Sequence, residues 1–348
     1  MTDTALLEAA ARRIIDWYRE EGRSLPWRQN PTPYHVWISE IMLQQTRIEA
    51  VIPYYHRFLE AFPTVRDLAD TDDDRLMKLW EGLGYYSRAR NLKKAARIIA
   101  DEMDGELPST AAELKKLPGI GDYTAGAVAS IACGQPEPAV DGNVLRVTAR
   151  LLADSGDIAD PAVKKSVTAM LKEIYPSGTD ARLLTEGLME LGETVCIPNG
   201  RPKCENCPLA DLCRSRKDGN PGDYPVKSPK KPRRIEERTV LLLRWNGRYA
   251  IRKRTEGLLI GMWEFFSADG HLTREECAAL LLLMGMKVPE IRELGPAKHI
   301  FTHVEWHMTE YAAEVDFPSP EFEWKTPEEI RADCAVPTAL KKYAVKME

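Results

Sequence analysis

Two carboxylates and four cysteines carry the chemistry that residue type and spacing allow in this chain. Glu40 stands in YHVWISEIMLQQTRIEA among Val36, Ile38, Ile41 and Met42. A Glu in such company is commonly a rim residue; where it faces a partly apolar pocket, desolvation disfavours the charged carboxylate and raises its pKa, which suits a general acid. Asp141 lies in Val140-Asp141-Gly142-Asn143, a Gly-containing turn ahead of a helical pattern, and reads as an acid without a partner. Cys196, Cys204, Cys207 and Cys213 form C-x7-C-x2-C-x5-C. Four thiolates without histidine fit a structural zinc ion or a 4Fe-4S cluster, and spacing alone does not choose between them.

The elements that must position these groups are helical through residue 213. Thr110 followed by Glu113 reads as a capping box that opens a short helix to Leu117, where Pro118 stops it. Gly119 and Gly121 bracket Ile120 and permit a tight turn, and Ala125, Val128, Ala129 and Ala132 recur at helical spacing beyond it. The result is a helix, a glycine hairpin and a helix whose first N–H groups suit one phosphate. Residues 5–22 form an amphipathic helix, and Arg23-Ser24-Leu25-Pro26-Trp27-Arg28 an irregular loop after it. Tyr34 to Ala50 reads as one helix ending in the hydrogen-bonding run Gln44-Gln45-Thr46-Arg47. Thr71, with Asp72 to Asp74 behind it, should cap a helix whose stripe is Leu76, Leu79, Trp80 and Leu83. Gly82-Leu83-Gly84-Tyr85-Tyr86 then forms a turn exposing one apolar and two aromatic side chains beside Arg88 and Arg90, which suits stacking and phosphate contact, and equally suits a Tyr pair facing the core. Asp160-Pro161 starts another helix, and Leu183 to Val195 forms one carrying Glu186 and Glu190.

Residues 214–237 are rich in Gly, Pro, Lys and Arg, a basic linker whose composition disfavours packing. After it the texture turns to β: Asn246-Gly247 between RTVLLLRW and RYAIRKR signals a hairpin. Thr273-x-x-Glu276 caps a Leu-rich helix to about Met284, and Phe301 to Val315 alternates as a strand. The expected organisation is an all-α domain at 1–213 with its cysteine loop at 196–213, the linker at 214–237, and an α+β domain at 238–348.

Composition narrows the classes. A net charge of −5 and a pI of about 5.8 confine any nucleic-acid contact to local basic patches. No apolar run reaches the roughly eighteen residues that span a bilayer, and Met1-Thr2-Asp3-Thr4 does not begin a signal peptide, so no membrane partner is expected and the expected place is the cytoplasm. Four of seven cysteines crowd into one loop, which in such a compartment argues for metal rather than disulfides.

LPGIG, Asp122-Tyr123-Thr124 and VDGNVLRV together resemble the helix-hairpin-helix DNA glycosylase superfamily, whose catalytic aspartate lies in such a VDxNV turn. The cysteine run after the last helix resembles that superfamily's 4Fe-4S loop, with a first gap of seven residues (Ile197 to Lys203) where six are usual. Adding WISEIMLQQTRIE, EGLGYYSRARNL and a C-terminal module containing GMWEF and Phe301-Thr302-His303, the resemblance narrows to the MutY family of adenine DNA glycosylases over nearly the whole chain. It implies hydrolysis of the N-glycosidic bond of adenine mispaired with 8-oxoguanine or guanine, in double-stranded DNA, by a monomer of the bacterial cytosol and nucleoid. Glu40 would be the general acid and Asp141 the stabiliser of the sugar cation, with Tyr123, Asn143 and Glu186 around them. Trp27 and Arg28 match the adenine pocket rim. Gln45, Thr46, Leu83 and Tyr85 match positions that intercalate or touch the opposite base, Arg47 adds a basic contact, and Gly119 and Gly121 the phosphate-holding hairpin. Phe301, Thr302 and His303 match the lesion-sensing loop. A lysine that cuts the strand in bifunctional relatives is replaced by Tyr123, so monofunctional chemistry is implied.

The C-terminal module resembles the Nudix fold, but Arg274-Glu275 is followed by Ala278-Ala279 where metal-binding glutamates would stand. Binding without hydrolysis is implied. A glycosylase for another mismatch or an oxidised pyrimidine shares the hairpin and cluster; a cluster-bearing DNA-binding protein without catalysis would lack a use for Glu40 and Asp141.

Overall fold

The computed structural model describes residues 2–229 and 232–346. The chain divides into two compact units, one of Met1–Asp70 with Asn91–Pro229, the other of Thr71–Arg90 with Lys230–Glu348. Among the described residues the first unit is helical and the second contains every strand.

In the first unit, Thr2 caps the helix Asp3–Glu21 by accepting from the Ala5 N–H. That helix buries Leu6, Leu7, Ala10, Ile14 and Ile15 against Leu184, Leu188 and Leu191 of the helix Thr179–Thr194 and Val144, Val147 and Leu151 of the helix Gly142–Leu152. This core holds the Asp141 turn at its edge. Thr110 accepts from the Glu113 N–H and opens the helix Ala111–Leu114, and the second helix of the hairpin runs Asp122–Ala127. It does not continue as an α-helix: Val128–Ala132 is a π-helix, where the Ser130 hydroxyl takes the Gly126 carbonyl at 2.7 Å and so competes with the regular ladder.

Three expected features of this unit change. The segment read as an irregular loop contains a one-turn helix, Pro26–Gln29, because Pro26 supplies the φ of a first helical position. The single helix expected from Tyr34 to Ala50 is two, Pro33–Leu43 and Ile48–Ala61, broken where Gln45 adopts a left-handed φ of 58°. The linker does not stay unpacked. Residues 214–229 hold a short helix, Arg214–Lys217, and their backbone is taken up by Arg150, which donates to the Tyr224 carbonyl at 2.8 Å, and by the Ile158 N–H, which donates to Val226 at 3.0 Å. Lys230 and Lys231 of the linker lie outside the described residues.

The second unit begins with the helix Asp73–Leu79, capped by Asp72 rather than Thr71: the carboxylate one residue nearer accepts from the Arg75 N–H at 2.7 Å. Its sheet is formed by β1 (Arg234–Trp245), β2 (Arg248–Lys253), β3 (Trp263–Glu264), β4 (Phe266–Asp269), β5 (Ile291–Ile300), β6 (Val304–Glu314) and β7 (Glu323–Lys325). The order is β3-β2-β1-β6-β5, with β4 also on β1 and β7 on β2; among the described residues only β1 and β6 run parallel. Alternation along β1 separates two cores. Val240 and Leu242 face Ile330, Leu340 and Tyr343 of the C-terminal helices, whereas Leu241 and Leu243 face Cys277 and Leu281 of the helix Arg274–Leu283. The Asn246-Gly247 hairpin and the Thr273–Glu276 capping box form as the residues require. The expected strand from Phe301 is shorter, because the Phe301 N–H donates back to the Val304 carbonyl at 2.8 Å and makes 301–303 the turn between β5 and β6.

Candidate active site

Glu40, Tyr123, Asp141, Asn143, Glu186, Trp27, Arg28, Gln45 and Thr46 all line one cavity of about 460 Å³ in the first unit. Five elements meet there: the one-turn helix Pro26–Gln29, the helix Pro33–Leu43 with its broken end, the second hairpin helix, the Asp141 turn and the helix Thr179–Thr194. Glu40 is 4% exposed. Burial pushes its carboxyl up to about 7; the hydrogen bond from the Tyr123 hydroxyl opposes this, and the nearby Asp141 charge adds to it. Tyr123 is itself driven well above the usual phenol range by burial and by Glu40, so its proton stays in place to be donated.

Asp141 is not the partnerless acid its sequence suggests. It caps the helix Gly142–Leu152, accepting from the Val144 N–H at 2.8 Å and the Asn143 side-chain amide at 2.9 Å. Burial raises its carboxyl above the ordinary range against these two bonds and the Arg146 charge. Asn143 is fixed from the other side by Arg146, which donates to its Oδ1 at 2.7 Å. Gly192 lets the helix Thr179–Thr194 come this close, since a Cβ there would stand 2.5 Å from the Asn143 Cβ. Glu186 accepts from Tyr18 and from Arg182, both at 3.1 Å. Trp27 is buried edge-on against Tyr55, its ring 5.5 Å away, so it forms the pocket wall and is not displayed on a loop.

The remaining predicted residues lie elsewhere. Arg47 is exposed at the start of the helix Ile48–Ala61. Gly119 and Gly121 lie exposed in the hairpin; Gly119 needs glycine, with φ +79° and space that ends 2.6 Å away at the Asn91 Cβ. In the second unit Leu83 and Tyr86 are buried, contrary to the expected display, and the Leu83 N–H donates to the Trp80 carbonyl at 3.1 Å just past the helix Asp73–Leu79; Tyr85 alone of the three is exposed. Arg88, expected to face a phosphate, is buried and donates to the Leu83 and Gly84 carbonyls at 3.0 Å. The Tyr85 hydroxyl is hydrogen-bonded to the Thr302 hydroxyl. Thr302 and His303 are exposed, while the Phe301 ring is held 4.8 Å from that of Trp306.

Residues 38–174 match the family model of the HhH-GPD superfamily of base excision DNA repair proteins, residues 200–213 the iron-sulfur binding domain of endonuclease III, and residues 239–346 the NUDIX domain. The chain is 32% identical to the adenine DNA glycosylase of Homo sapiens, the match covering 98% of this chain and 74% of that one. It is 34% identical to the adenine DNA glycosylase of Buchnera aphidicola subsp. Acyrthosiphon pisum (strain APS), over 85% and 83% of the two chains. The chain belongs to the adenine DNA glycosylase family. Among solved structures, a thermostable thymine-DNA glycosylase superposes with a TM-score of 0.56 at 27% identity, over 62% of this chain and 98% of that one. A non-covalent endonuclease III–DNA complex does so at 0.53 and 26%, over 63% and 99%.

As a member of the adenine DNA glycosylase family, the protein carries a 4Fe-4S cluster loop, and its cysteines fit that group. Cys196, Cys204, Cys207 and Cys213 line one small cavity with no histidine or carboxylate beside them. A 4Fe-4S cluster takes one thiolate on each of its four irons, and this all-cysteine donor set supplies four. Arg150 donates to the Cys196 sulfur at 3.3 Å and to its carbonyl at 3.1 Å, supplying positive charge against the thiolates. Burial pushes the Cys207 thiol up to about 12, so ligation must displace a proton there.

Sequence reading missed the residues that hold the site residues. Arg146 joins the Asn143 side chain, the Gly192 carbonyl and the Cys196 carbonyl, the last two at 2.8 Å. Its place three residues after Asn143 on one helix is the signal that could have revealed it. Arg182, four residues before Glu186 and bonded to it, carries the same signal.

Proposed function

We propose that this enzyme excises adenine paired with 8-oxoguanine or guanine in double-stranded DNA, by simple hydrolysis. The observation that carries the reading is a buried Glu40, its carboxyl near neutrality, in one cavity with Asp141. A base inside a duplex is out of reach, so adenine must be flipped into that cavity at a cost of a few kcal/mol. Glu40 gives its proton to adenine N7, the C1′–N9 bond breaks, and its electrons leave with the protonated purine. The sugar cation that remains is stabilised by Asp141, whose ionised form that cation favours. Water adds at C1′ and returns a proton to Glu40. Tyr123 and Asn143 orient the two carboxyls, and Glu186, Trp27 and Arg28 surround the base. No amine stands at position 123, so no Schiff base forms and the strand is left intact.

Gln45, Thr46 and Arg47 at the helix break and the Gly119–Gly121 turn meet the duplex, the latter at a phosphate. Tyr85 stacks, with Leu83 supporting its loop from beneath, and Phe301, Thr302 and His303 read the base opposite adenine. The cluster loop supplies a fixed, cationic surface for the backbone, with Arg201, Lys203 and Arg214 near its cysteines in sequence. The test is single-turnover adenine release from 8-oxoguanine:adenine and guanine:adenine duplexes, with strand breaks scored before and after alkali. Release on both, faster with 8-oxoguanine and cleaved only after alkali, is expected. No adenine release from a preparation carrying its cluster would overturn the reading.

A further inference from the structure

Glu190 is among the most deeply buried carboxylates of the chain, with its side chain 1% exposed, and the reaction above leaves it unused. It lines the same cavity as Glu40. One of its oxygens accepts from Arg23 Nε, and the other from Arg23 Nη2 at 3.2 Å and Arg28 Nη1 at 2.8 Å. Arg28 is otherwise secured by the Arg23 carbonyl at 3.1 Å and the Tyr18 ring at 5.3 Å, and its own carbonyl accepts from Arg182 at 2.6 Å. A helix of one turn cannot hold itself. Pro26–Gln29 is therefore held by these charges together with the buried Trp27 against Tyr55.

We infer that Glu190 is a further positioning residue of the pocket: it clamps Arg23 and Arg28 at the wall and cancels their positive field at Glu40. The inference rests on the reading of Glu40 as the acid. Glu40 is faced by Tyr123 from the second hairpin helix, Asp141 from its turn, Arg28 from the one-turn helix and Glu186 from the helix Thr179–Thr194, with Arg23 and Glu193 farther along the wall. Of these near groups Arg28 is the cation, and its charge favours the Glu40 carboxylate. Glu190 is held ionised, burial opposing and Arg23 and Arg28 prevailing, so it opposes Arg28 at all working pH. Without that negative charge the guanidinium groups would act on Glu40 opposed only by Asp141 and Glu186, and its proton would be lost at lower pH.

The test is adenine release by the full chain with its cluster, under single-turnover conditions at saturating duplex, from pH 5 to 9. In Glu190→Gln the shape is kept and the charge removed. Its basic limb should fall by roughly half to one pH unit, with release near the parent's at the acid end. Arg23→Gln alone should move the limb upward, and adding it to Glu190→Gln should return the limb toward the parent's position. A purely structural role would lower release uniformly at every pH, and unmoved limbs in these variants would overturn the inference. Absence of release by the parent would instead sink the proposed function, so the two failures are distinct. Should Glu190→Gln not fold, the direction of the Arg23→Gln shift still decides.

Discussion

At the scale of residues, the proposed reaction puts two opposed demands on Glu40: it must be buried to keep its proton and reachable to give it away. The apolar neighbours that raised its carboxyl were legible in sequence, since Val36, Ile38, Ile41 and Met42 surround it along the helix. Glu40→Gln should cut adenine release by about 10²–10⁴-fold while leaving duplex binding near the parent's, read by single-turnover rates and a binding titration. The same change affects stability. With the folded carboxyl pushed up to about 7 from an unfolded 4.5, the stability due to its bound proton is fully present below 4.5 and is lost as pH rises through 7. That loss amounts to about 3 kcal/mol at most, so Glu40→Gln should melt higher than the parent at pH 8, with the gap closing at pH 4. Equal melting curves at pH 8 would contradict a carboxyl raised by burial. Thr302 poses a simpler question. It is exposed and bonded to Tyr85 through its hydroxyl, so Thr302→Ala should reduce the ratio of release rates on 8-oxoguanine and guanine duplexes several-fold, and an unchanged ratio would remove it from lesion reading.

At the scale of elements, the site is made by interruptions of regular structure. The helix that carries Glu40 stops at Leu43 and turns through Gln45, and the second hairpin helix widens into a π-turn at Val128. The one-turn helix at Pro26 and the Asp141 turn complete the wall. Capping residues announced several element starts, because a side-chain oxygen bonding an N–H three residues on is a local event. The breaks were not legible: no glycine or proline stands at 44–46, and the left-handed Gln45 depends on tertiary partners such as Thr124, to which Gln44 donates at 3.3 Å. Gly192 tests the packing between elements. In Gly192→Ala the new methyl meets Asn143, so the helix must retreat, at a cost of about 1–3 kcal/mol. Adenine release should fall with it, and a variant with the parent's melting temperature and rate would show that the close approach is dispensable.

At the scale of the whole molecule, each unit has its own core, and the first also joins the Asp141 turn to its cluster loop. Arg146 and Arg150 stand four residues apart on the helix Gly142–Leu152, the former bonded to Asn143 and the Cys196 carbonyl and the latter to the Cys196 sulfur. Arg150→Ala should therefore lower iron per chain and the melting temperature together, measured by iron assay and thermal unfolding; full iron content would free Arg150 of that role. By itself the sequence determined the β texture after the linker with its Asn246-Gly247 hairpin, the helices of the glycine hairpin and the four-cysteine spacing, and it singled out Glu40 and Asp141 as candidates. Those follow from local periodicity, local hydrogen bonds and residue type, which a chain carries wherever it folds. Tertiary structure alone decided which charges surround Glu40 and which segment packs where. Arg23, Arg28 and Glu190 meet across more than 160 positions of chain, and residues 71–90 group with the C-terminal sheet rather than with their sequence neighbours. A buried charge has no stable place until its partners are packed around it, so its role is set only when the helices close.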